Sequence, residues 1–337
     1  MPRTGRLHIS NGVYHLIGRG LERRAIFAED KDKREFLRRL EVNLRRSGVK
    51  CYAWALMPNH YHLLVRIGSK PLQSLMQPLL TGFAGYYNAC HQRAGYVFQN
   101  RYQSILCEEE QYLLQLVRYI HRNPVKAGLV PDMESLATYP WTGHAGMLGR
   151  NTMSWHDVSD VLRRFHAQPS QARKRYCEFI VAGANEMEGP NLSGGGVVRS
   201  TGGWEDLSKL RCEHVQCIGD ERILGNDDFV KQTLIQDKLL VEKRSKYLRQ
   251  GWGLEELITT VCNYYGIAPS QINRRSRGDN VSRAKSLICY FGFNELGKSM
   301  RDIAQKLEIS QPAVSVWVKK GEHICHVDSL GIQKLLS

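Results

Sequence analysis

The sequence predicts an α+β protein: a ferredoxin-like split βαβ catalytic domain followed by an all-α helix-turn-helix domain. Three observations carry this. In the first third of the chain the hydrophobic period switches in the order strand, helix, strand, strand, helix, strand, helix. A glycine-rich stretch over 191–203, with Gly194-Gly195-Gly196 and Gly202-Gly203, then reads as a linker. Beyond Trp252 only helical periodicity remains, and it ends in a short pair of helices.

The first strand is expected over 13–18, where Tyr14, Leu16 and Gly18 alternate with Val13, His15 and Ile17. Gly18-Arg19-Gly20 after it is too short for a phosphate-binding loop. A helix follows from Asp30 as its cap, with Phe36, Leu37, Leu40 and Leu44 as the apolar stripe and Gly48 as the stop. Lys50 to Met57 is the second strand, and Pro58-Asn59 turn the chain into a third that begins at His60. After Lys70-Pro71 comes a long helix with Leu75, Met76, Leu79 and Phe83 on one face, and a kink is expected at Pro78. Arg101 to Cys107 reads as the fourth strand. In the helix from Glu109, Leu113, Leu116, Val117 and Ile120 recur at helical spacing until Pro124 stops it.

Two further amphipathic helices are expected near 154–165 and 168–181, and a capped helical pattern over 220–236. The expected organisation is a catalytic domain over 1–135, a helical extension and linker over 136–203, a helical connector over 204–250 and a helix-turn-helix domain over 251–337.

Within the first domain two stretches hold chemistry. A strand places His60 and His62 on one face, because its side chains alternate. A helix places Tyr119 and Asn123 one turn apart on one side. Packed side by side, these elements bring two imidazoles, an amide oxygen and a phenol together, the makings of a metal site beside a nucleophile. Arg101, Arg122 and Lys126 are candidate phosphate contacts around it, and His121 points elsewhere on the helix as a structural residue.

At these residues the chain resembles the single-tyrosine HUH transposases, and among them the REP-associated tyrosine transposases. The segments that carry the resemblance are Met57-Pro58-Asn59-His60-Tyr61-His62 and Tyr119 to Gly128. The resemblance implies Tyr119 as the catalytic nucleophile, His60, His62 and Asn123 as ligands of a divalent metal, and DNA cleavage and rejoining through a 5′-phosphotyrosine at hairpin-forming repeats. Imidazoles alone point to zinc or a later transition metal; the family points to Mg²⁺ or Mn²⁺. Two other readings of the residues are a DNA-binding regulator with an inactive nuclease domain and a metal-dependent hydrolase that uses water.

Near the C-terminus, Ser299 to Leu307 and Ser310 to Lys320 form the helix pair, with Ser310 as N-cap and Pro312 in the first turn. In such a motif the second helix leads into the major groove with its N-terminal residues. Gln311 and Ser315 are then candidates for base edges, and Arg301, Lys319 and Lys320 for phosphates. The block over 254–321 resembles the C-terminal DNA-binding domain of the replication initiator DnaA, with Arg274-Arg275-Ser276-Arg277 as a basic loop ahead of the motif. It lacks that protein's Asp-His-Thr run, so the initiator's target sequence is not implied.

Composition agrees with a polyanionic partner. Lys and Arg total 47 against 33 Asp and Glu, a net charge of +14 over 337 residues. The expected partner is DNA, single-stranded or hairpin at the catalytic domain and duplex at the helix-turn-helix, bound by a monomer or a homodimer. No run approaches the roughly 20 apolar residues of a membrane span, and the basic N-terminus lacks the apolar stretch of a signal peptide. Nine cysteines without close pairing suit reduced thiols, so a cytoplasmic location is expected. Cys212, His214 and Cys217 offer three ligands without a fourth, which argues against zinc.

Overall fold

The structure, a computed structural model, describes residues 6–68, 70–182, 220–273, 279–328 and 330–335. The glycine-rich segment, the Cys212-His214-Cys217 group and the candidate DNA contacts Arg274 and Arg275 lie outside them. The chain divides into two units, Met1–Leu234 and Ile235–Ser337.

The first unit is built on a sheet of β1 (Val13–Arg19), β2 (Lys50–Met57), β3 (His60–Arg66), β4 (Gln103–Cys107) and a two-residue β5 (Ile223–Leu224), in the order β2-β3-β1-β4-β5. The first four strands are antiparallel to their neighbours, and β5 runs parallel to β4. With helices α1 (Asp30–Ser47) and α3 (Glu109–Lys126) as crossovers, and α2 (Gln73–Cys90) between β3 and β4, this is the ferredoxin-like α+β arrangement.

The sheet is covered on both faces. Tyr14, Leu16, Trp54, Leu56, Tyr61, Leu63 and Val65 pack with Phe36, Leu40, Leu75, Leu79 and Phe83 of α1 and α2. Val13, Ala55, Leu64 and Ile105 pack on the opposite face with Leu113, Leu116, Val117 and Ile120 of α3. An irregular register between Cys51 and Ala53 is a β-bulge that puts both Tyr52 and Ala53 on the α3 side. Gly18 pairs with Tyr61, and a Cβ there would lie 2.3 Å from the tyrosine hydroxyl, so the ring occupies the space a side chain would need.

Both outer strands are protected. Along β2, Trp141 and Gly143 add backbone bonds to Leu56 (2.9 Å) and Trp54 (2.9 Å), and the Thr142 hydroxyl donates to the Trp54 carbonyl at 3.1 Å. Along β4, the Leu106 and Glu108 amides donate to Arg222 and Leu224, both at 2.8 Å. Exposed edges recruit other strands, and these segments remove that liability.

Several elements differ from expectation. The cap of α1 is Glu29, whose amide donates to Asp32 at 3.0 Å, because a side chain three residues into the helix can reach back and Asp30 cannot. Arg101 and Tyr102 precede β4 rather than opening it. Pro124 does not stop α3, which continues to Lys126: a proline in the final turn forfeits one bond at a place where the ladder is ending. As expected, Pro78 lies inside α2. The helix expected near 154–165 is only α6 (Val158–Leu162), while the next is α7 (Pro169–Ala182). Short helices α4 (Met133–Leu136) and α5 (His144–Met147) had no periodic signal, being one turn each. β5 falls inside a stretch expected to be helical, and α8 (Asp227–Arg249) follows it.

His121 is fully buried, and its Nδ1 lies 2.8 Å from the Tyr176 hydroxyl on α7. The same hydroxyl lies 2.7 Å from Nδ1 of His144 on α5. A phenol carries one proton, so it donates to one imidazole and accepts from the other. This bond pair ties the extension to the helix that carries Tyr119.

The second unit is helical: α9 (Leu254–Tyr264), α10 (Asp279–Asn294), α11 (Met300–Lys306) and α12 (Gln311–Val327), after the C-terminal part of α8. Ser299 and Asp302 form a capping box at α11. The Ser310 hydroxyl accepts from the Ala313 amide at 3.4 Å to start α12. The second helix of the pair extends to Val327, past the expected end at Lys320. Gly321 permits this, since a Cβ there would meet the Ser286 carbonyl of α10 at 2.2 Å.

Candidate active site and nucleic-acid interface

The site lies where β3, β1 and α3 meet. Register places Arg19 opposite His60, Ile17 opposite His62 and His15 opposite Leu64, so these six residues share the sheet face that α3 covers. On the other side of β3, Ala55 lies opposite His62, and its small side chain leaves room for an imidazole.

His62 is buried and His60 partly exposed, with ring centroids 5.1 Å apart at 83°. Tyr119 meets His62 edge-on at 5.7 Å. Asn123 donates from Nδ2 to the Tyr119 carbonyl at 2.9 Å. The two sequence stretches therefore do converge. Arg122 is half-buried, while Arg101 and Lys126 are exposed.

The hydrogen bonds of the two imidazoles define which nitrogen is available. Asn59 Nδ2 donates to the Arg23 carbonyl at 3.0 Å, which directs its Oδ1 toward His60 Nδ1 at 2.6 Å. An amide oxygen only accepts, so His60 carries its proton on Nδ1 and presents a lone pair at Nε2. His62 Nδ1 is likewise engaged, 2.9 Å from Nε2 of His15.

Electrostatics favour neutral imidazoles. Burial, followed by the charge of Arg19, lowers His60 to about 4. Burial, then His15, His60 and Arg19, hold His62 well below the usual histidine range. Burial raises the Tyr119 phenol, while its hydrogen bond with the Asn123 side chain and the Arg19 charge pull it down.

Among the described residues no group of three or more His, Cys, Asp and Glu side chains is arranged to hold a metal. The donor set here is different in kind: two neutral imidazole nitrogens and an amide oxygen. Such donors, with both Nδ1 atoms held by second side chains, fit a divalent ion that keeps open positions for a phosphate oxygen.

Residues 8–123 match the family described as Transposase IS200 like. This stretch, about a third of the chain, is similar to that family. The match runs from just before β1 to Asn123 and so includes His60, His62, Tyr119 and Asn123. The matched stretch lies within the α+β unit described above. Among solved structures, a REP-associated tyrosine transposase bound to a REP hairpin is 18% identical, with a TM-score of 0.39 over 47% of this chain and 98% of that one. Among curated proteins, the chromosomal replication initiator protein DnaA of Pseudothermotoga lettingae is 26% identical over 129 residues, 38% of this chain and 28% of the relative. The chain thus spans less than a third of that relative's length.

Two residues near Tyr119 escaped sequence reading. His15 touches the ring of Tyr119 edge-on at 6.1 Å, and Arg19 acts on the ionisation of His60, His62 and Tyr119. The signal was present in the period of two, which puts His15, Ile17 and Arg19 on one face of β1. The missing information was that β1 lies next to β3.

In the second unit, Gln311, Ser315 and Lys319 recur every four residues along α12, on the flank of the buried Val314, Val318 and Gly321. Gln311, Lys319 and Arg301 are exposed. Ser315 is half-buried, with its hydroxyl 3.4 Å from the Met300 sulfur. Lys320 is exposed, and its ammonium lies 4.7 Å over the Trp317 ring.

Proposed function

We propose that the protein is a DNA transposase that cleaves and rejoins single-stranded or hairpin DNA through Tyr119. The observation that carries this is the phenol of Tyr119 held edge-on against His62, with Asn123 one turn beyond it, on the face that also bears Arg19. The Tyr119 oxygen attacks the scissile phosphorus, the bond to the 3′ oxygen breaks, and that oxygen leaves as a 3′-OH. The strand's 5′-phosphate is then joined to Tyr119. Because the new ester conserves the energy of the old one, a 3′-OH can attack it later in the reverse sense, and no nucleotide triphosphate is consumed.

His60, His62 and Asn123 would hold the divalent ion, Mg²⁺ or Mn²⁺, which as a Lewis acid polarises a non-bridging phosphate oxygen. The neutral state of both imidazoles supports that role, since a protonated imidazole cannot ligate. Arg19 supplies fixed positive charge for a phosphate and for the phenolate. Arg101, Arg122 and Lys126 would contact the DNA backbone beyond the scissile group.

Exposed Gln311 and the adjacent Ser315 of α12 are assigned to base edges of a duplex, and Arg301, Lys319 and Lys320 to phosphates, with Arg274 and Arg275 in the preceding basic loop. This domain would hold a weakly selective nuclease near its target. Repeated palindromic elements with a hairpin foot are the proposed target, on the strength of the residue resemblance.

The test uses labelled hairpin DNA with Mn²⁺ or Mg²⁺, followed by denaturation and detection of label attached to protein. A metal-dependent adduct that disappears in Tyr119→Phe is the expected result. Cleavage without an adduct would mean that water attacks. Full activity in Tyr119→Phe would sink the proposed mechanism.

A further inference from the structure

His15 is the remaining polar side chain buried on this sheet face near the tyrosine. It is fully buried at the centre of the sheet, in a position whose partner across the strand pair is Leu64. An apolar residue there would avoid the cost of desolvating an imidazole, so the histidine calls for a polar role. Its Nε2 lies 2.9 Å from His62 Nδ1, and the two rings are nearly coplanar, with centroids 5.1 Å apart and planes at 23°, the edge-to-edge geometry of an in-plane hydrogen bond. It also abuts Tyr119 edge-on.

We propose that His15 is a positioning residue that fixes the tautomer and orientation of His62 for metal binding. This rests on the assignment of His62 as a ligand. His15 Nε2 accepts the Nδ1–H of His62, which leaves the His62 Nε2 lone pair for the ion. Asn59 does the same for His60, accepting its Nδ1–H at 2.6 Å. Each imidazole of the pair is thus oriented by a second side chain through the same nitrogen, and both supports are neutral. A neutral acceptor suits this place, because His62 is enclosed and a carboxylate would add a buried charge beside it. His15 spends its Nε2 on His62, so that nitrogen is a support and not a ligand. Tyr119 adds a second constraint: its ring meets His62 edge-on at 5.7 Å and His15 at 6.1 Å, and this triangle of rings sets the distance of His62 from the proposed nucleophile.

Loss of a support of this kind weakens metal affinity on the order of 10- to 100-fold. The test measures Mn²⁺ binding to the full-length protein without DNA, by loss of the free-ion EPR signal, for wild type and for His15→Phe, His15→Gln and His62→Ala. In parallel, ¹⁵N-histidine NMR of the metal-free proteins reads the tautomer of His62. The expected pattern is tight binding by wild type, loss in His62→Ala, weakening of about 10-fold or more in His15→Phe, and recovery in His15→Gln, whose amide oxygen can accept the same proton. The His62 ring should carry its proton on Nδ1 in wild type and in His15→Gln. Mn²⁺ binding that survives in His62→Ala would overturn the ligand assignment and this proposal with it. Binding that is lost in His62→Ala but unchanged in a folded His15→Phe would overturn the proposal alone. If His15→Phe does not fold, a His62 proton found on Nε2 in wild type overturns it, and an Nδ1 proton with retained affinity in His15→Gln upholds it.

Discussion

Tyr119 and His60 respond to the same surroundings in opposite directions. Burial disfavours a charged state, so it raises the phenol and lowers the imidazole. The neutral imidazole is the form that binds metal, so His60, at about 4, stays competent well below the usual histidine midpoint and loses competence only as pH falls through that value. With the phenolate as the proposed nucleophile, adduct formation should climb with pH through the neutral and alkaline range without levelling below about 10, the ordinary phenol value. Single-turnover adduct formation across pH 5 to 10 checks the phenol limb and the absence of a histidine break near 6.5; a plateau beginning near neutrality would contradict the assignment of the phenol. Arg19 pulls the Tyr119 phenol down, so Arg19→Ala should slow the reaction at pH 7 and recover part of the loss at higher pH. A loss that is constant with pH would show that Arg19 acts only by binding phosphate.

At the scale of elements, two close approaches set the packing. Tyr61 lies over Gly18 across the β1–β3 pair. Gly18→Ala must displace that ring from a full core, and overpacking of this kind costs about 1–3 kcal/mol. Thermal unfolding should show a clear drop in Tm, and an unchanged Tm would mean that the ring moves freely. In α12, Lys319 is exposed on the face of Gln311, away from the buried Val314 and Val318. If it meets a phosphate, Lys319→Ala should weaken duplex binding alike for all sequences and reduce the slope of log affinity against log salt by about 1. Titrations at several salt concentrations decide this. Ser310→Ala should remove the helix N-cap at a cost of about 1 kcal/mol, read by chemical denaturation.

At the scale of the whole molecule, the first unit depends on buried neutral histidines. His144 and His156 are both buried, and burial is the main cause that brings each to about 4. An unfolded chain binds these protons near 6.5. Between those values the unfolded state holds more protons than the folded one, so stability is full above about pH 6.5 and falls as pH drops toward 4. The slope is about 1.4 kcal/mol per pH unit for each group. Denaturation midpoints at pH 7.5, 6 and 5 should fall in that order, and replacing His156 with Gln should flatten the decline. Among the described residues no helix is long and apolar enough to cross a membrane.

The local chemistry of the candidate site was legible because it rests on short periods. His60 and His62 share a face two residues apart, Tyr119 and Asn123 share one four apart, and both periods follow from backbone geometry. The order of strands and helices likewise determined the α+β class. Sequence periodicity carries no information on which strands become neighbours. For that reason His15 and Arg19, on a strand far from His60 in sequence, joined the site only when β1 was found beside β3. The same holds for β5 and for the Trp141–Gly143 segment, where two or three residues are too few to show a period. Their place is set by the unpaired amides and carbonyls at the edges of β4 and β2, which need partners that only the assembled sheet defines.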